Sequence, residues 1–330
     1  MREFGYERVY DVAGAVALIG ADPDARFLGG GTNLIDLMKA GVERPALLID
    51  VRELPLDGIE FARDGVLRIG ATVTNGDLAA HPEVRRHYPA LAQAVLAGAS
   101  GQLRNMATVG GNLLQRTRCG YFTDLGKPCN RRVPGSGCPA IVGEHHNHAI
   151  LGASEHCVAT HPSDMAVALA AFDAVVSYET ADGTGELPIT ELYPPVGDTP
   201  HIETALPSGA LITGVTLPPS PVAARSRYRK VRERASYAFA IGSIAAALEV
   251  QDDAVRDVRL AFGAVASRPW RARAAERALL GGPVGAEAFA AAADAELAAA
   301  EALPENGYKV TLMRNLVVAV LTELAEEAAR

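Results

Sequence analysis

The chain is short of most features that place a protein quickly. No run of about 18 uninterrupted apolar residues occurs, so no segment is long enough to cross a bilayer as a helix. Lysine is scarce: only Lys39, Lys127, Lys230 and Lys309 stand among 31 basic residues, and no basic stripe stands out. With 39 acidic residues the formal net charge is −8, which argues against a nucleic-acid or anionic-membrane surface as the main business of the chain. The N-terminal stretch MREFGYERVYDVAGAVALIGAD carries charge at Arg2, Glu3, Glu7, Arg8 and Asp11 and lacks a signal-peptide layout. From its own sequence the protein is therefore expected in the cytoplasm. Repeats and low-complexity segments are missing, as are the G-x-G-x-x-G dinucleotide motif, the Lys-Ser/Thr of a P-loop and any short C-x2–4-C chelate pair. Cysteine is absent outside one window of the chain.

What is present suits a globular protein. Across 330 residues 49% are hydrophobic and 21% charged, enough apolar surface for a core and enough length for two or three packed units. The four cysteines, Cys119, Cys129, Cys138 and Cys157, follow the spacing C-x9-C-x8-C-x18-C. Turn-forming residues surround them, as in Cys119-Gly120, Pro128-Cys129 and VPGSGCPA around Cys138. Residue types and spacing alone leave four readings open: two disulfides, a structural zinc site, an iron–sulfur cluster, or four free core cysteines. Five of the eight histidines (His145, His146, His148, His156 and His161) share the window. They read as a polar loop over the cysteines rather than as further ligands.

The pattern along the chain is mixed helix and strand. Asp11 caps a helix to Ile19, Ala25–Leu28 is a short strand, Leu34–Ala40 a helix ended by Gly41, and Ala46–Val51 a buried strand. A hairpin follows at 58–70 with Asp64-Gly65 at its turn, then helices opening at Thr74 and running from Tyr88 to Ala97. Residues 116–158 read as an insertion. Beyond it come a helix at Ser163–Phe172, strands at Ala174–Glu179 and Ala210–Leu217, and a boundary at Pro218-Pro219. Three units result: 1–55, 56–222 carrying the insertion, and 223–330. In the last, strands within 226–263 and helices at Arg268–Leu280, Ala286–Leu303 and Thr311–Ala329 suggest an antiparallel sheet with helices on one face.

Two glycine loops are the second cluster of interest. Gly29-Gly30-Gly31-Thr32-Asn33 lies between a strand and a helix, where bare backbone N–H groups can close around a phosphate. Thr108-Val109-Gly110-Gly111-Asn112 is a second loop of similar make-up, with hydroxyl and amide groups to add. A pair of such loops facing one another suits a dinucleotide, which has a pyrophosphate in the middle and a ring at each end.

Four segments occur in order: FLGGGTNLIDLM (27–38), NMATVGGNLLQR (105–116), HPSDMAVALAAFDA (161–174) and YRKVRERASYAFAIG (228–242). Together they resemble the FAD-binding subunit of the molybdenum hydroxylases, the xanthine dehydrogenase and carbon monoxide dehydrogenase family, across essentially the whole chain. The cysteine-bearing insertion resembles that of the [4Fe-4S]-carrying flavoprotein subunit of bacterial aldehyde oxidoreductases. A related insertion occurs in 4-hydroxybenzoyl-CoA reductases, the nearest alternative.

The resemblance implies an α+β fold: a vanillyl-alcohol-oxidase (PCMH-type) FAD-binding domain of two α/β parts, then a smaller α/β C-terminal domain. It implies that Leu28, Gly29, Gly30, Gly31, Thr32, Asn33 and Leu34 hold the FAD pyrophosphate, with Thr108, Gly111 and Asn112 opposite. Ser163, Asp164 and Asp173 would bind FAD, Ile212 would pack near the isoalloxazine, and Lys230 would sit close to the flavin. Cys119, Cys129, Cys138 and Cys157 would ligate a [4Fe-4S] cluster. The partners implied are a large molybdenum-cofactor subunit and a small [2Fe-2S] subunit, in a heterotrimer or a dimer of heterotrimers. No catalytic residue is expected here, because the substrate site lies in a partner. Co-export with a signal-bearing partner would put the protein in the periplasm. Two readings of other classes compete, a stand-alone FAD oxidoreductase such as an enolpyruvoyl-glucosamine reductase and a zinc-stabilised scaffold.

Overall fold

The computed structural model describes residues 1–329. The first 50 residues build a small parallel sheet: β1 (Gly5–Arg8), α1 (Val12–Ala21), β2 (Ala25–Leu28), α2 (Leu34–Lys39) and β3 (Leu47–Asp50), with strand order β1-β3-β2. Asp11 starts α1 as the sequence suggests, its carboxylate accepting from the Gly14 amide at 2.7 Å. The loop 29–33 follows β2, so it lies at the carboxyl end of a parallel sheet, where α/β folds commonly bind ligands.

The second sheet has five strands in the order β4-β5-β8-β6-β7, from β4 (Ile59–Phe61), β5 (Leu67–Gly70), β6 (Val175–Thr180), β7 (Gly183–Pro188) and β8 (Leu211–Leu217). Every pairing in it is antiparallel. Between β5 and β6 run α3 (Asn75–Ala80), α4 (Pro82–His87), α5 (Pro89–Ala97), α6 (Gly101–Arg104), α7 (Val109–Leu113), α8 (Gly120–Thr123) and α9 (Asp164–Ala171). A short α10 (Ile189–Leu192) follows β7. β7 falls where the sequence reads as irregular. Its segment GTGELP has turn composition, which an edge strand tolerates because one side of its backbone needs no partner.

The third sheet is antiparallel in the order β12-β11-β10-β9, from β9 (Ser226–Val231), β10 (Gly242–Gln251), β11 (Ala254–Gly263) and β12 (Trp270–Arg271). Three helices complete the chain: α11 (Arg273–Leu279), α12 (Ala286–Leu297) and α13 (Tyr308–Ala328). The unit's own helices cover one face of this sheet, as the sequence suggests, and the preceding unit covers the other. Along β10, Ile244, Ala246 and Leu248 join the core beneath α11–α13, while Ala245 and Ala247 join the core of the preceding unit, built on α5 and α9. A strand buried on both sides reads as a continuous apolar run, as GSIAAALEV does, and hides which face meets what. The helix read at Arg268–Leu280 is shorter than expected, since Trp270 and Arg271 pair with β11 first. Among the described residues no helix is long and apolar enough to cross a membrane.

Candidate functional site

The first glycine loop is shaped by close backbone approach. A Cβ on Gly30 would stand 1.7 Å from the Met106 carbonyl oxygen, and one on Gly29 would stand 2.7 Å from Thr108 Oγ1. Gly31 holds φ at +72°, the left-handed region that glycine enters without steric cost. The two loops, some 80 residues apart in sequence, therefore touch directly. The second loop is pinned in turn to the segment after β5: Val109 N–H donates to the Val73 carbonyl and Gly110 N–H to the Ala71 carbonyl, both at 2.9 Å. The sequence reads as a glycine loop here. The chain instead forms the short helix α7, whose first turn Thr108 caps by accepting from the Gly111 amide at 3.2 Å.

Polar groups are left over at this contact. Asn33 Oδ1 accepts from the Arg116 amide at 2.9 Å, but its Nδ2 is buried with no partner among the described residues. Such an orphan donor costs about 1–3 kcal/mol unless something else accepts from it. Asn112 Oδ1 accepts from Ser163 Oγ at 2.6 Å, and Ser163 Oγ caps α9 by accepting from the Ala166 amide at 3.0 Å. Asp164, first in α9, accepts from Tyr228 at 2.5 Å and pairs with Lys230 Nζ at 2.8 Å. Both charges of that pair are largely buried. Burial, with the Asp164 charge beside it, holds the Tyr228 hydroxyl well above its ordinary pKa, so it remains a donor.

A pocket of about 420 Å³ lies on one side of the paired loops and one of about 220 Å³ on the other. Thr32, Asn33, Ala107 and Gly111 line both, which makes the loops a shared wall. The larger pocket also takes Gly29–Gly31, Leu34, Thr108 and Ile212. The smaller takes Asn112, Asp164, Lys230, Arg118, Tyr237 and Phe239. Ile212 and Lys230, which the sequence led us to set near one ring, thus line different pockets. Leu28 ends β2 without lining either. Asp173 is not brought to the site. It sits at φ +52° and accepts from Arg259, Arg271 and Arg273 at 3.0, 3.0 and 2.8 Å, an ion cluster that ties α9 to the third sheet. Arg118, Tyr237 and Phe239 went unnoticed in the sequence. Arg118 stacks on the Phe239 ring at 4.8 Å, a pairing no local pattern encodes.

All four cysteines are free thiols lining one small cleft within the insertion. Arg131 Nε lies 3.3 Å from the sulfur of Cys157, and Cys138 lines the same cleft. The neighbouring Cys138 thiol and Arg131 pull Cys157 well below the ordinary thiol pKa, while Cys157 and burial push Cys138 up. Burial raises Cys119, whose sulfur lies 3.2 Å from His148 Nε2. Burial, then Lys309, lowers His148 to about 4, so its ring is neutral. Among the described residues no three His, Cys, Asp or Glu side chains converge as they would on a single metal ion.

Two pockets astride a wall of bare backbone, followed by a C-terminal sheet unit with its own helices, have the layout of a dinucleotide-binding class of fold. Residues 2–220 match the family of the FAD binding domain in molybdopterin dehydrogenase, and residues 226–324 that of the CO dehydrogenase flavoprotein C-terminal domain. The chain belongs to the FAD-binding medium subunits of the molybdenum hydroxylase family. It is 51% identical to the aldehyde oxidoreductase FAD-binding subunit PaoB of Escherichia coli, over 99% of this chain and all of that one. It is 26% identical to a putative xanthine dehydrogenase FAD-binding subunit of the same organism, over 88% and 84% of the two chains. The carbon monoxide dehydrogenase structure from Hydrogenophaga pseudoflava superposes with a TM-score of 0.75 at 26% identity, covering 97% and 96%. Quinoline 2-oxidoreductase from Pseudomonas putida shares the fold, with a TM-score of 0.78 over 100% and 99% of the chains at 22% identity.

Proposed function

We propose that the chain is the FAD-carrying electron-transfer subunit of a molybdenum-dependent aldehyde oxidoreductase. Full-length likeness to a subunit of that name supports the substrate class. The observation that carries the cofactor reading is the pair of glycine loops set backbone to backbone between two pockets. A pyrophosphate at this shared wall would meet the N–H groups of Gly29–Asn33 and the orphan side-chain amide of Asn33, donors that suit its oxygens. α2 is only six residues long, so these N–H groups count for more than a helix dipole.

We assign the flavin ring to the smaller pocket, beside Asp164, Lys230 and Tyr237, and the adenosine end to the larger, against Ile212. Bound FAD takes up electrons singly or in pairs, which joins one-electron carriers to a two-electron acceptor. The protein's own part is to hold the dinucleotide non-covalently, to fix Asp164 through Tyr228 and to set Lys230 at the pocket wall.

We assign Cys119, Cys129, Cys138 and Cys157 to a [4Fe-4S] cluster, whose chemistry is one-electron transfer. Four thiols on one cleft are the right donor set, and Cys157 is already biased toward thiolate. Electrons would arrive from a small [2Fe-2S] subunit fed by the large molybdenum-cofactor subunit, in a heterotrimer. The assembly works in the cytoplasm unless a signal-bearing partner carries it folded across the membrane.

Absorption and metal analysis of the complex purified without air test the reading. Flavin bands with a broad iron–sulfur shoulder near ~400 nm are expected. Flavin without iron, or stoichiometric zinc, would overturn the cluster assignment. Cys129→Ser is expected to lose iron and keep FAD; iron content equal to wild type would remove Cys129 from the ligand set.

A further inference from the structure

The sulfur cleft and the glycine wall are joined by a continuous chain of ion pairs and hydrogen bonds. Arg131 comes from the insertion, and its side chain is 8% exposed. Its Nε reaches Cys157 Sγ at 3.3 Å, and its Nη1 lies 3.4 Å from Glu203 Oε2. Glu203 precedes β8, and its Oε1 accepts from Arg116 Nε at 2.9 Å and Nη2 at 2.5 Å. Arg116 also pairs with Glu43, and its backbone N–H donates to Asn33 Oδ1 at 2.9 Å. Arg116 lines the larger cofactor pocket, and Arg131 lines the sulfur cleft. Two guanidinium groups are thus held by carboxylates between the two sites, and one of them touches a cysteine sulfur.

Resting on the cluster assignment above, we propose that Arg131 is the residue that sets the reduction potential of the iron–sulfur site. Glu203 is the counter-charge that moderates it and braces it to the FAD cradle through Arg116. The reasoning is electrostatic. Four thiolates leave a [4Fe-4S] site with excess negative charge, which one added electron increases. A buried cation hydrogen-bonded to a ligand sulfur favours the reduced form, because little water screens it. Glu203 lies on the far side of the same guanidinium and opposes that bias. Arg131 is therefore a positioning and tuning residue: it acts through Cys157, and nothing in its placement gives it substrate to touch.

The sign pattern separates this role from a merely structural one. In the intact complex, an EPR-monitored anaerobic redox titration reads the cluster's midpoint potential in wild type, Arg131→Gln, Arg131→Lys and Glu203→Gln. Iron and FAD content are measured on the same samples. Arg131→Gln is expected to make reduction at least tenfold less favourable, a shift of about 59 mV to more negative potential for a one-electron couple. Arg131→Lys keeps the charge and should recover most of that loss. Glu203→Gln should shift the potential the opposite way, to more positive values. If Arg131→Gln fails to retain iron, the positive shift of Glu203→Gln, against an Arg131→Lys potential close to wild type, still carries the test. A wild-type complex without iron overturns the cluster assignment and this proposal with it. A cluster whose potential is unmoved by these variants, or is moved in the same direction by Arg131→Gln and Glu203→Gln, overturns the proposal alone.

Discussion

Replacing Gly30 by alanine is the most direct probe of the cofactor wall. The added methyl carbon would stand 1.7 Å from the Met106 oxygen, 2.4 Å from its carbonyl carbon and 2.8 Å from the Ala107 nitrogen. All three atoms are backbone, so no rotamer change relieves the clash. The loops must part by more than an ångström. Overpacking of this kind costs typically about 1–3 kcal/mol, and the rigid surroundings put Gly30 at the upper end. Where that cost falls on the bound state, about 3 kcal/mol corresponds to roughly a hundredfold weaker FAD binding. The assay is FAD retention through desalting, with a flavin-fluorescence titration of the stripped protein. Gly58→Ala is the control, because a Cβ there meets nothing within 4 Å. Gly30→Ala protein that keeps stoichiometric FAD with wild-type affinity would refute the idea that the two loops grip the dinucleotide between them.

Other perturbations test the surroundings. Asp173→Asn should lower stability by about 1–3 kcal/mol, because Arg271, nearly buried, loses a charged partner, while FAD content stays unchanged; a thermal melt and flavin content decide whether Asp173 is structural. Lys230→Met strands the buried Asp164 carboxylate and should cost about 3–5 kcal/mol, with partial recovery in the Lys230→Met/Asp164→Asn double variant. Equal melting temperatures for the single and double variants would contradict the coupling. Lys309 is fully buried on α13, donating to the Asn147 and Ala264 carbonyls, and burial pushes its pKa down to about 7. Unfolded, it titrates near ~10.4. Between those values the unfolded chain binds more protons, so the residue's contribution to stability rises as pH climbs from about 7 toward 10 and is lowest below 7. Urea unfolding at pH 6.5 and pH 9 should show that gain in wild type and less of it in Lys309→Met; identical gains would refute the assignment.

Legibility from the sequence followed how local each feature is. The Asp11 cap, the strand and helix flanking GGGTN and the cysteine window depend on near neighbours, and each stands in the structure where its pattern lies. The glycine motifs point correctly to close approach, yet no spacing states that Gly30 meets Met106. Ile212 and Lys230 are close in sequence and read as neighbours of one ring, but β8 and β9 belong to different sheets and deliver them to different pockets. Asp173 follows α9 by two residues and looked like part of its motif. A left-handed backbone turn instead aims it at arginines roughly 90–100 residues away. Tyr237 and Phe239 lie in a segment without regular structure, where periodicity carries no signal.

The alternating alanines of β10 carry a consequence for how the molecule comes apart. Ala245 and Ala247 are small enough for α5 and α9 to rest on the sheet that α13 covers from behind. The helix that begins at the smaller pocket with Asp164 therefore finds its floor in the C-terminal unit. Cutting the chain between Pro218 and Ser226 should leave two fragments that stay together and release FAD only when both melt. Expressed separately, the N-terminal piece would present an uncovered apolar helix pair and a half-built cofactor pocket. The boundary that family profiles draw in sequence is, for unfolding, a seam inside a single cooperative body.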